Sequence, residues 1–123
     1  MARYKIILAY DGTEFFGSQR QEAKTRTIQS EVEAALRKLG WQDQSIMLAG
    51  RTDTGVHASG QVAAFDLGWN HTPEDLTNAL NSVLPSDLAA RSNAMSADDF
   101  HPRFDASAGA IAIRLFVIRL VIL

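Results

Sequence analysis

The run Gly50-Arg51-Thr52-Asp53-Thr54-Gly55-Val56-His57-Ala58 gathers a carboxylate, a guanidinium, an imidazole and two hydroxyls between glycines. Glycines permit backbone angles that bring a loop close to a ligand. Arg51, two residues before Asp53, can hold that carboxylate through a charge-assisted bond and keep it ionised at neutral pH. An ionised, oriented carboxylate is a competent nucleophile or base. On residue types alone, a turn with a structural Arg–Asp pair accounts for the same pattern. His57 has no assignable part in the chemistry and reads as a hydrogen-bonding structural histidine.

The elements around this run decide where it sits. Tyr4 to Tyr10 is β-branched and aromatic and stops at the turn signal Asp11-Gly12, which predicts a strand. Ile28, Val32, Ala35, Leu36 and Leu39 share one face of a helix, with Thr27 to cap it and Gly40 to close it. Ile46 to Ala49 is a second strand, Gly50 to Gly60 a loop, and Gln61 to Leu67 a third strand. Thr72-Pro73-Glu74-Asp75 starts a helix with a capping hydroxyl, proline at the first helical position and acids in the first turn. Leu76, Leu80, Val83 and Leu84 form its apolar stripe, Pro85 ends it, and Leu88 to Asn93 makes a fourth strand. The fold class is α+β: the order β-α-β-β-α-β is the ferredoxin-like pattern, an antiparallel sheet with two helices on one face. Many unrelated functions share it, so the site must decide the function.

The 123 residues amount to one domain, and 46% hydrophobic residues suffice for a core. Twelve basic against 14 acidic side chains give a net charge of -2, unlike the basic balance of most polyanion binders. Any RNA contact therefore needs local positive charge. Without cysteine there is no disulfide, thiolate metal site or Cys nucleophile. The apolar start meets Asp11 too soon for a secretory signal, so a cytoplasmic protein is expected. Ile111 to Leu123, broken by Arg114 and Arg119, is far shorter than the ~20 residues of a membrane-spanning helix.

Several segments together resemble the tRNA pseudouridine synthase A family. Gly-Arg-Thr-Asp-Thr-Gly-Val-His-Ala is similar to its signature loop. Tyr10-Asp11-Gly12-Thr13, Phe16-Gly17 and Gln19-Arg20-Gln21 resemble its opening motif, and Thr27-Ile28-Gln29 with Glu31 and Glu33 its first helix. Gly60-Gln61-Val62 with Phe65, Leu80-Asn81-Ser82-Val83-Leu84-Pro85 and Phe100-His101-Pro102-Arg103-Phe104 follow in order. The similarity runs from residue 3 to about 106 and implies half of the pseudouridine synthase fold. It also implies the chemistry: cleavage of the N1–C1′ bond of uridine, rotation of the uracil, and rejoining through C5, with no cofactor and no metal. Asp53 matches the family's essential aspartate, the nucleophile, and Arg51 would orient it and assist base flipping. The implied substrate is the anticodon arm of tRNA, at positions 38, 39 and 40, with Arg20, Lys24, Arg26 and Arg51 as candidate phosphate contacts. A homodimer is implied for the full-length family.

Two departures stand out. Ser18 occupies a position where the family commonly has Trp, so an aromatic ring is missing there while the chemistry is untouched. After Ala106 the family continues with an Arg/Tyr-rich strand whose first Tyr packs against the target uridine; without gaps that position is Ile111, which has no π face. Read from the third base of each codon, Ala108 through Ile113 can spell Arg-Arg-Tyr-Arg-Tyr. The expectation is therefore a pseudouridine synthase subdomain over residues 1–106, an aberrant apolar tail over 107–123 produced by a reading-frame shift near Ser107, and no C-terminal half. The alternative to an active synthase is a truncated, catalytically inactive fragment with at most weak RNA binding.

Overall fold

The computed structural model describes residues 2–21, 25–50, 52–96 and 115–116, the last two by backbone pairing alone. Four strands and two helices follow the expected order: β1 (Ala2–Tyr10), α1 (Ile28–Lys38), β2 (Met47–Leu48), β3 (His57–Leu67), α2 (Pro73–Val83) and β4 (Leu88–Ser96). The strands lie in the order β2-β3-β1-β4, every neighbour antiparallel. Each β-α-β unit is therefore split by a strand of the other, which is the ferredoxin-like topology. A short pairing, β5 (Leu115–Phe116), adds to β3 at His57 and Ala58. It is the only described part of the 107–123 segment.

Alternation along β1 sends Tyr4, Ile6 and Leu8 into the core, each 2% exposed or less. They meet Val32 and Leu36 of α1, Leu76 and Leu80 of α2, and Phe65 and Leu67 of β3 in one cluster. At about 1.5–3 kcal/mol per fully buried side chain, this cluster is the main favourable contribution to the fold. The helix ends form as their sequences dictate. Thr27 Oγ1 accepts from Ser30 N at 3.1 Å while Ser30 Oγ accepts from Thr27 N at 3.0 Å. Thr72 Oγ1 accepts from Asp75 N at 3.1 Å, with Pro73 in the first helical position.

The strand boundaries differ from the sequence reading, most of all in β3. It begins at His57 rather than Gln61, so the expected Gly50–Gly60 loop gives up its last residues to the sheet. Ala58-Ser59-Gly60 carries little β-propensity, and it is extended because Tyr10 of β1 pairs with Ala58. Two irregularities sit there. The register on β3 shifts between Leu8 and Tyr10, and that on β4 between Ile7 and Leu8. Arg91, the extra residue on β4, donates from Nη1 to the Ser59 carbonyl at 2.8 Å, tying the two bulges together across β1. Bulges of this kind re-aim the end of a sheet. Here they lie at the end of β1 from which the Asp53 loop is held.

Candidate active site

The loop between β2 and β3 is fixed on three sides, while no described residue pairs with its acid. Gln61, fully buried on the core face of β3, accepts from Gly50 N at 3.3 Å and donates to Gly50 O at 2.9 Å. At the end of β1, the buried Tyr10 hydroxyl bonds Thr52 Oγ1 at 2.9 Å. Burial raises the Tyr10 pKa, opposed by its bonds to Thr52 and Gln61, so the phenol stays neutral. The third wall is the segment after β1. Ser18 N donates to Thr52 O at 3.0 Å, and Thr52 N donates to Ser18 Oγ at 2.7 Å.

Ser18 is thus more than a missing aromatic. It is completely buried and holds the residue before Asp53 by two bonds, a pairing that an indole, which lacks an acceptor, cannot make from its side chain.

Close approach explains two glycines on this wall. A Cβ at Gly12 would lie 1.9 Å from the Val56 carbonyl oxygen. At Gly17, whose φ is +86°, it would lie 3.0 Å from Thr52 O. Gly12 N also donates to His57 Nδ1 at 2.8 Å. His57 therefore fastens the start of β3 to the opening segment, as its reading as a structural histidine expects. Its Nδ1 lies 3.1 Å from Asp11 Oδ1. The Thr13 hydroxyl and amide, and to a smaller extent His57, hold the Asp11 carboxyl below its usual range.

Asp53 follows these tethers at an exposed position, and its side chain makes no hydrogen bond or ion pair with any described residue. It opens onto a polar pocket of about 60 Å³ lined by Phe16, Gly17, Gln19, Gln21, Thr52, Asp53 and Thr54. A second pocket of about 220 Å³ adjoins it through Gln19 and is lined by Gln29, Ser45 to Leu48 and Gly50. A carboxylate that is rigidly carried yet unpartnered can accept a proton or attack a carbon without first breaking an internal bond.

Two of the other singled-out residues, Arg20 and Arg26, are engaged elsewhere. Arg20 pairs with Glu33, which is 1% exposed, and donates to Gln44 O at 3.0 Å. Arg26 grips Asp87 with two bonds of 2.8 and 2.9 Å, bonds Glu31 at 3.0 Å, and lies 4.1 Å over the Phe15 ring. The Asp87 carboxylate raises its already high pKa, so it is a permanent cation bolting the opening segment to the start of β4. Arg51, Lys24 and Ile111 lie outside the described residues. Sequence reasoning missed Thr52, Tyr10, Ser18 and Gln61 as holders of the loop. Gln61 alone gave a signal, being a polar residue on the apolar face of a strand. Among the described residues no group of three or more acids and histidines is placed to hold a metal, and no helix is long and apolar enough to cross a membrane.

Fold and site together define an α+β domain of ferredoxin-like topology that presents, on a tethered, glycine-bounded loop, a carboxylate unpaired by any described residue. The family model described as tRNA pseudouridine synthase matches residues 6–105. The tRNA pseudouridine synthase A of Streptococcus equi subsp. equi is 51% identical over 105 residues, which cover 85% of this chain and 42% of that protein. That of Leuconostoc mesenteroides is 42% identical over 112 residues, 85% and 44% of the two chains. That of Pseudothermotoga lettingae is 44% identical over 106 residues, 86% and 43%. The chain belongs to the tRNA pseudouridine synthase family, and it spans less than half the length of these relatives.

Proposed function

We propose that this chain carries the catalytic-aspartate half of a tRNA pseudouridine synthase, an isomerase that converts uridine to pseudouridine at positions 38, 39 and 40 of the anticodon arm. Asp53 is the nucleophile. The N1–C1′ bond breaks, the uracil turns, the C5–C1′ bond forms, and the proton leaves C5 while N1 gains one. Electrons balance without a redox partner, and no cofactor or metal is required. Arg51 orients Asp53 and assists flipping of the target base. Lys24 is the readiest phosphate contact of the four basic residues named for that role, since Arg51 is assigned to Asp53 and Arg20 and Arg26 spend donors inside the fold. Either arginine can reach a phosphate only with donors beyond those pairs. The substrate-packing position falls to Ile111, the protein acts in the cytoplasm, and the complete assembly is a homodimer.

The observation that carries this reading is the Asp53 carboxylate, unpaired by any described residue, on a loop locked through Thr52 to Tyr10 and Ser18. The test is tritium release from tRNA labelled at uridine C5. Joined to the half of the family fold that these residues do not span, the chain turns over, and Asp53→Asn lowers the rate on the order of 10⁴-fold or more. Turnover that survives this change sinks the mechanism. The second reading, an inactive fragment that binds RNA weakly, is favoured for the 123 residues alone by the isoleucine at position 111, where the family packs a Tyr on the base. It predicts no release from the chain by itself.

A further inference from the structure

Phe15 and Phe16 are adjacent, yet they meet opposite fates. Phe15 is 2% exposed beneath the Arg26 guanidinium, whereas Phe16 is 54% exposed. Among the described residues only Met95 is another large apolar side chain so open to water. The Phe16 ring does not owe its exposure to a loose backbone. Its N–H donates to Arg26 O at 2.8 Å, its carbonyl accepts from Gln21 Nε2 at 2.7 Å, and the next residue, Gly17, accepts from Ile28 N at 3.2 Å. A rigid backbone holding an apolar ring in solvent leaves apolar surface unburied, which the fold alone does not require.

Its location gives the reason. Phe16 stands on the rim of the pocket that Asp53 opens onto. At about 60 Å³ that pocket has roughly the room of two waters in the liquid, so it admits the edge of a planar heterocycle and leaves the flat face outside. Gln19 lines the same pocket with an amide that makes no hydrogen bond to any described residue, and no described residue donates to the Gln21 amide oxygen. A polar slot with amide donors and acceptors beside an exposed ring is the combination that holds an unpaired base by edge and by face.

We propose that Phe16 is the stacking surface for a nucleobase unpaired from the RNA, at the mouth of the Asp53 pocket, with the Gln19 amide reading its edge. This rests on the assignment of the pocket to an RNA-modifying site. Stacking on an aromatic ring is tolerant of base identity, so Phe16 contributes affinity and orientation while the edge contact selects.

The test is fluorescence anisotropy of the full chain with two labelled RNAs at one fixed salt concentration: a short oligouridylate and a fully paired hairpin. Phe16→Leu, which keeps apolar bulk without a π face, weakens oligouridylate binding by roughly 5- to 100-fold and leaves the hairpin unchanged. Phe16→Trp retains oligouridylate binding, and its emission above the background of Trp41 and Trp69 is quenched at saturation. Circular dichroism matching the unaltered chain shows that both variants fold. Equal oligouridylate affinity in Phe16→Leu overturns the proposal. So does an unquenched Phe16→Trp, or the lack of any saturable oligouridylate binding. Failure of the catalytic reading is distinguishable: it is read from tritium release with the C-terminal half of the family fold joined, whereas this binding is read from the 123-residue chain, so each can fail while the other stands.

Discussion

The two β-α-β units of this domain obey the same local rules and use them differently. In the second unit, β3 runs straight through Gly68 to Thr72 into α2, and β4 is a nine-residue strand hydrogen-bonded along most of β1. Asn81 on α2 clamps that strand by exchanging two 2.8 Å bonds with the Ala90 backbone. In the first unit a long segment, residues 11–27, separates β1 from α1, and β2 has only two residues. Side chains replace the missing ladder. Buried Glu33 accepts from Arg20, from Gln29 Nε2 at 3.0 Å and from Ile46 N at 3.0 Å, and Gln29 also holds Ser45 Oγ at 2.9 Å and accepts from Arg20 N at 2.8 Å. A backbone ladder makes a strand; a polar network of this kind frees the backbone to form a pocket. The unit with the poorer sheet is the one that carries the site.

This contrast can be broken by experiment. The largest effect is expected at its centre: Glu33→Ala leaves Arg20, Gln29 and Ile46 N without their buried acceptor and costs about 3–5 kcal/mol in urea denaturation. A destabilisation no greater than that at Asn81 would mean that the network does not stand in for the ladder. Next comes Gly12→Ala, which forces the Asp53 loop away from the opening segment. With the half of the family fold that these residues do not span joined on, turnover falls on the order of 100-fold while far-UV circular dichroism keeps its helical signal. Unchanged turnover would show that this wall does not set the loop position.

Asn81→Ala should cost less, about 1–3 kcal/mol, since it unpairs the Ala90 backbone groups without stranding a charge. The smallest effect is on pH. The Thr13 hydroxyl holds the Asp11 carboxyl below its ordinary 3.8, and the Arg3 side chain does the same for Asp66. As pH falls through 3.8 the unfolded chain takes up protons that the native state still refuses, so stability present above that pH declines and levels off once both native carboxyls are protonated. A urea midpoint followed from pH 6 to pH 2 should show this slope, shallower in Asp66→Asn than in the unaltered chain. An identical slope in that variant would remove Asp66 from the account.

Much of this was legible in the chain. Both helices were, because Thr27, Thr72 and Pro73 act on their own neighbours and the apolar stripes repeat at helical spacing. The sheet order followed from the sequence of elements. The first residues of β3 were not legible, since Ala58-Ser59-Gly60 is extended only through its partners, and neither were the two bulges that Arg91 joins. Asp53 could be singled out by type and spacing. The set that fixes its loop could not, because Tyr10 and Ser18 lie far from residues 50–52 in the chain with nothing local to mark them as partners, and Gln61 shows only that a polar side chain stands on an apolar face.

Sequence by itself determined the helices, the family and the loop in which Asp53 stands out, all of which depend on residue type and short spacing. Only tertiary structure decided that Ser18 supports the loop, that Arg20 and Arg26 are engaged with Glu33 and Asp87, and that of two adjacent phenylalanines one is core and the other open to solvent. The physical reason is one of range. Capping and amphipathicity are settled within a few residues, whereas an acceptor's donor and a ring's solvent exposure depend on segments that meet only when the sheet closes.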